Sequence, residues 1–204
     1  MNWLDIVSNL DAVVCEDLAV RCYQGCDDWT FLCASNVNHC LNLEFYGNDS
    51  PYHKLSTETK GDFGDLEDYE DFEKAKIALE KAFSQYGVSW NNTKETLYKG
   101  IDQKSFYQIL DLRNKVVGDK FVVHGYTSMT LSESVAESFS SADVILVCDN
   151  MVDKKCVFPP NKPVQNSVAG MGNEEEVLFD KGLEFEIVGR ETKNNKIHLY
   201  VKPV

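Results

Sequence analysis

The sequence is short of several things, and each shortage excludes something. Basic residues are scarce: 20 Lys and Arg stand against 33 Asp and Glu, a formal net charge of −13. A surface that negative repels phosphate backbones and anionic lipid, so neither nucleic acid nor membrane is an expected partner, whereas a basic protein surface would be drawn in. Long apolar runs are missing too, for none approaches the ~18 residues that a membrane helix needs. The opening MNWLDIVSNL has neither the basic stretch nor the apolar core of an export signal. Together these absences predict a soluble protein of a reducing cytoplasm. Internal repeats and low-complexity segments are also absent, which excludes solenoids and tail-like linkers.

Cysteine is not scarce, but its arrangement is telling. The seven form an odd set, which argues against a complete disulfide framework. Five of them, Cys15, Cys22, Cys26, Cys33 and Cys40, lie in the first 40 residues and are separated by sevens and a four. With Leu18 and Trp29 they make a stripe along one helical face. Only Cys22 and Cys26 approach the paired spacing of a zinc knuckle. The pattern therefore favours small apolar side chains in a helical core over a metal centre enlisting His39, and no metal site is predicted.

What is present fits a globular chain, with 43% hydrophobic and 26% charged residues in 204. Residues 1–45 read as largely helical and 46–62 as a loop rich in turn formers. An acidic run over 62–73 leads into a helix whose apolar face is Phe72, Ala75, Ile77, Leu79, Ala82 and Phe83, stopped at Gly87. Beyond Gly87 the texture turns to short β-rich runs over 95–101, 119–130, 142–149, 175–180, 183–190 and 196–204. Helical stretches over 105–116 and 132–141 interrupt them. Lys181-Gly182 and Asn194-Asn195 supply turns between the last three runs. Such a pattern predicts an α+β fold.

Three segments carry candidate chemistry. The first is Leu97-Tyr98-Lys99-Gly100, a strand ending in a cation and a glycine. The second is Gly125-Tyr126-Thr127-Ser128-Met129-Thr130, followed at once by a helix. The third is Gly172-Asn173-Glu174-Glu175-Glu176-Val177-Leu178-Phe179, a carboxylate triplet entering an apolar strand.

In this order and context the three segments resemble the R-S-E class of mono-ADP-ribosyltransferases, similar to enzymes of bacterial toxins and T-even-type phages. The resemblance covers roughly residues 72–204. It implies a split β-sandwich core that binds NAD as substrate, in a catalytic domain over 71–204 behind a helical lobe over 1–70. It implies that Lys99, with Tyr98 and Gly100, stands where the family's arginine contacts the NAD phosphate. Ser128 and Thr130 would shape the nicotinamide pocket, with Met129 between them replacing a threonine. Glu176 would be the catalytic glutamate and also touch the cofactor, and Glu174 the carboxylate that goes with arginine acceptors. The loop over 159–173 would help recognise a target protein, and the location would be a host's cytoplasm if the gene is phage-borne.

The chemistry asks for these residue types. Breaking the nicotinamide–ribose bond develops positive charge on the sugar, so an anion beside it stabilises the transition state above the ground state. A guanidinium is a poor nucleophile until a second carboxylate takes its proton. If Glu174, Glu175 and Glu176 lie in one strand, alternation puts the first and last on one face. Lys99 keeps the arginine's charge without its two-pronged grip. Two rivals share the motif pattern: an NAD glycohydrolase on the same fold, and an inactive module binding protein through its acidic surface. His124 reads as a strand histidine with a local partner.

Overall fold

The computed structural model describes residues 2–15, 20, 69–91, 94–101, 110–161 and 173–204, and in it the β-rich runs join one mixed sheet. Its strands are β1 (Val88–Ser89), β2 (Leu97–Gly100), β3 (Lys120–Val123), β4 (Thr127–Thr130), β5 (Val144–Cys148), β6 (Lys155–Val157), β7 (Glu176–Phe179), β8 (Leu183–Lys193) and β9 (Lys196–Pro203). They lie in the order β1-β6-β7-β4-β2-β5-β9-β8-β3, and β5 and β9 run parallel. β5 is VILVC with every residue buried, as a continuous apolar run in a sheet covered on both faces should be.

The sheet is nearly divided. β4 pairs with β7 from Thr127↔Phe179 to Thr130↔Glu176, and β2 with β5 from Leu97↔Cys148 to Gly100↔Ile145. β2 and β4, however, meet only at Tyr98↔Thr130. One half is thus β1-β6-β7-β4 and the other β2-β5-β9-β8-β3, which is the split α+β core that the sequence implies.

The chain passes between the halves twice. Residues 119–130 read as one β run but form two strands, β3 at the far edge of one half and β4 in the other. His124, Gly125 and Tyr126 make the passage. β7 and β8, adjacent in sequence, are likewise unpaired and belong to different halves. Gly182 holds φ at +81°, a region glycine enters without strain, and its N–H donates to Val123 O at 3.1 Å. The two passages therefore run side by side. The β8–β9 connection is a true hairpin, with Lys193↔Lys196 closing the two-residue loop Asn194-Asn195 at φ +53° and +62°. Both residues in the left-handed region fit the hairpin turn that matches strand twist.

Helix α1 (Trp3–Asn9) starts with a capping box. The Asn2 side chain accepts from the Asp5 N–H at 2.9 Å, and the Asp5 carboxylate accepts from the Asn2 N–H at 3.3 Å. Trp3, Ile6 and Val7 are buried in the cluster that also holds Trp90, Phe158, Phe179, Phe185 and Leu199. Trp3 meets Phe158 edge-on at 5.8 Å, and the Cys15 N–H donates to Phe158 O at 2.7 Å. The described start of the expected 1–70 lobe thus packs into the main core. Cys22, Cys26, Cys33, Cys40 and His39 lie outside the described residues, as do 62–68 of the acidic run and 162–172 of the loop. Cys15, Cys148 and Cys156 are all buried, and Cys148 and Cys156 are free thiols. Burial pushes the Cys148 thiol up to about 11 and the Cys156 thiol up to about 12, so both stay protonated.

Helix α2 (Tyr69–Tyr86) buries Leu79, Ala82 and Phe83 against Tyr126, Val157 and Leu178, and ends one residue before Gly87 as expected. Ile77 departs from the expected apolar face and is 62% exposed. Two residues before Leu79, it lies roughly 200° around the helix from it. The helix expected over 105–116 also stops early: Leu110 is the last helical residue, and Asp111 at φ +45° begins turns that reach Gly118. Helix α3 (Glu133–Phe139) is capped by Ser132, whose hydroxyl accepts from the Val135 N–H at 3.4 Å. No described helix is long and apolar enough to cross a membrane.

Candidate active site

The three motif segments meet at the split. Register places Val147, Tyr98, Thr130 and Glu176 in one row across β5, β2, β4 and β7. Directly opposed residues of antiparallel strands share a face, and Ser128, two residues before Thr130, joins them there. On that face α3 packs through Ala136 over Ile145 and Val147, beside Tyr98. α2 packs over Leu178 and Val157. The row therefore runs between the footprints of two helices.

Gly100 has a packing reason. A Cβ there would stand 2.1 Å from the Ala136 carbonyl oxygen and 2.9 Å from the backbone of Phe139 and Ser140. Only glycine lets α3 settle so closely on β2.

Glu176 and Thr130 are buried, 7% and 6% exposed. Glu176 is the first residue of β7, and Glu175 before it holds φ at +47°. The expected strand alternation of Glu174, Glu175 and Glu176 is therefore not what the chain does. The backbone turns at Glu175, and four contacts fix that turn. Thr130 Oγ1 donates to Glu174 O at 2.6 Å, the Glu175 N–H donates to Asn161 Oδ1 at 2.9 Å, and the Leu131 N–H donates to Glu175 O at 3.4 Å. The indole N–H of Trp3 donates to Glu176 O at 2.9 Å, a buried bond across 173 positions of chain. β6 ends at Val157, opposite Leu178, so Trp3 supplies a donor where that neighbouring strand has finished. Trp3 and Asn161 are contributors that the sequence reading missed. The capping box announces the helix that carries Trp3, but nothing in the sequence joins residue 3 to residue 176.

Lys99 leaves β2 on the pleat opposite Tyr98. Where the β2–β4 ladder stops, its ammonium donates to Ser128 O at 3.1 Å. The first and second motifs are thereby tied across the split by the residue expected to hold a phosphate. Burial raises the Tyr98 phenol above its ordinary value, with the Glu133 and Asp149 carboxylates adding to the effect. Tyr98 is thus a neutral hydrogen-bonding group at neutral pH. His124 is exposed in the passage between β3 and β4. The row brings a buried carboxylate, two hydroxyls and a phenol onto one face, and the Lys99 cation reaches the split from the opposite pleat.

No family model matches the chain, and no curated protein matches it. Solved structures do. The Vis toxin, an ADP-ribosyltransferase from Vibrio splendidus, superposes with a TM-score of 0.52 at 19% identity, covering 99% of this chain and 76% of that one. BECa, an ADP-ribosylating toxin of a binary enterotoxin of C. perfringens, superposes with a TM-score of 0.57 at 16% identity. It covers 98% of this chain, which spans about half of that toxin's length, 46%. The chain has the ADP-ribosyltransferase fold.

Proposed function

We propose that the protein is a mono-ADP-ribosyltransferase that takes NAD as substrate, transfers ADP-ribose to an arginine of a protein target and releases nicotinamide. The observation that carries this reading is the row Tyr98–Thr130–Glu176, which joins the three motif segments at the split of the sheet. That BECa was solved with NADH is in keeping with a dinucleotide substrate.

Each residue then has a task set by its position. Glu176 opposes the charge that develops on the ribose as the glycosidic bond breaks. Its side chain is buried, and the Trp3 and Thr130 bonds to the main-chain oxygens of Glu176 and Glu174 fix the backbone that carries it, so little reorganisation is needed as that charge appears. Ser128 and Thr130 line the nicotinamide side, and Tyr98 flanks them. Lys99 turns from the Ser128 carbonyl to the diphosphate as a point charge. Glu174 takes the proton of the incoming guanidinium. The net charge of −13 favours a target that is basic at the contact surface.

Labelled NAD incubated with the protein and a cell lysate tests the proposal. A labelled protein band, released by chemistry that cleaves arginine linkages, is the expected result. Free ADP-ribose without a labelled band would make the protein a glycohydrolase. No consumption of NAD would leave a binding module and overturn the reading.

A further inference from the structure

Beside the Tyr98 end of the row, α3 and β9 bring together three side chains that the transfer chemistry does not use. We infer that Glu133, Glu137 and His198 form a binding site for a divalent metal of the zinc type, which would tie α3 to β9. The proposal does not depend on the transferase reading.

His198 is the reason to look there. It is 1% exposed, in the middle of β9, and neither ring nitrogen has a hydrogen-bond partner. Glu133 Oε1 comes to 3.2 Å from Nε2, but without hydrogen-bond geometry. Buried polar groups are nearly always satisfied, so a buried imidazole whose ion-pair neighbour is a poorly aligned carboxylate calls for a ligand. Glu133 and Glu137 are four residues apart and share the helix face that looks at it. One donor atom from each of the three lies within 4.8 Å of the others. Ligand atoms around tetrahedral zinc sit roughly 3.3–3.5 Å apart, so small rotations of two glutamates close the shell. One imidazole with two carboxylates suits zinc better than magnesium or calcium, which prefer oxygen alone.

The structure also shows what stands in the metal's place. Lys193 Nζ lies 2.6 Å from Glu133 Oε1, and this bond is the first cause holding the Glu133 carboxyl below its ordinary range. The carboxylate is therefore ionised and already neutralised by a cation. Lys193 is about half exposed and adjoins the two-residue hairpin loop, so its ammonium can return to water at little cost. Lys196 does not compete for a carboxylate, because it donates to the main-chain oxygens of Glu137 and Ser140 at 2.9 and 3.0 Å. Asn194 Nδ2 lies 3.5 Å from Glu137 Oε1, a marginal contact that a metal would displace.

The displaced lysine gives the proposal a test that packing alone would not satisfy. Zn²⁺ is titrated calorimetrically into the full chain with magnesium in excess, alongside thermal unfolding. One saturable equivalent and a raised unfolding midpoint are expected. Glu137→Gln, which changes a partly exposed side chain and leaves the buried histidine in place, should weaken zinc about tenfold or more. Lys193→Gln should tighten it several-fold by removing the competing cation. Because seven cysteines offer another home for zinc, the two variants decide. Saturable binding that neither variant alters, or no saturable binding up to about 0.1 mM zinc, overturns the site.

Discussion

The two halves of the sheet are built on different terms. The half containing β5, β8 and β9 has strands of up to eleven residues, a fully buried centre and a tight hairpin, and it holds itself together by ladder and core. The half containing β4 and β7 has, among the described residues, no strand longer than four, yet it carries Ser128, Thr130 and Glu176. Its register is secured by side chains from elsewhere: Trp3 on Glu176 O, Asn161 on Glu175 and Lys99 on Ser128 O. The long half is scaffold. The short half is the platform for the candidate site residues, kept in place by single bonds from side chains outside its strands, and substitutions should sort accordingly.

The largest effect expected is at Glu176. Glu176→Gln should lower both arginine transfer and nicotinamide release by on the order of 10²–10³ with an unchanged unfolding midpoint. Activity within a few-fold of the parent would remove Glu176 from the mechanism. Glu174→Gln should separate the two assays, abolishing the labelled protein while nicotinamide release persists. An equal fall in both would show that the two carboxylates do not divide the work.

Next comes the tie between the halves. Lys99→Ala should cost about 10- to 150-fold in kcat/KM, mostly through KM, as befits a charge-assisted contact made in ground and transition states alike. Lys99→Arg should keep activity. If the alanine variant leaves KM and kcat untouched, Lys99 serves only the Ser128 carbonyl.

Trp3→Phe keeps the ring against Phe158 but removes the donor to Glu176 O. Stability should fall by roughly 1 kcal/mol, and kcat about 3- to 10-fold with KM nearly constant, because a shifted carboxylate is felt most in the transition state. A loss of stability alone would assign Trp3 to packing and not to positioning. The smallest effect belongs to the scaffold. Asn195→Gly in the hairpin loop should move stability by no more than about 0.5 kcal/mol and leave kcat unchanged. A kinetic effect there would blur the distinction between the halves.

The sequence shows the scaffold more plainly than the platform. β5, β8 and β9 are legible because their alternation and apolar runs are long, and Asn194-Asn195 marks its turn without ambiguity. β1 and β6 are too short to show any period. The run over 119–130 hides a change of half, because alternation says nothing about which neighbour a strand takes. The three motifs were legible in order, and register brings Tyr98, Thr130 and Glu176 from them into one row. What the motifs could not convey is the turn at Glu175, which depends on Thr130, Asn161 and Trp3 and defeats simple alternation. The His198 cluster was invisible for the same reason: a helix and a strand about sixty residues apart meet only in three dimensions.

The place of β9 has a consequence for how the molecule is made. It lies between β5 and β8, joining the strand formed at 144–148 to the hairpin partner formed at 183–193. As the chain leaves the ribosome, β7, β4, β2 and β5 are all available once residue 179 has emerged, so the row that bears Glu176 can zip up early. β3 and β8 can pair only with each other until residues 196–203 arrive. For that interval two sheet fragments expose unfilled edges, the wholly apolar Val144–Cys148 and the Phe185–Lys193 stretch of β8. A nascent chain paused there is the form most exposed to mispairing, and the one a chaperone would find to hold.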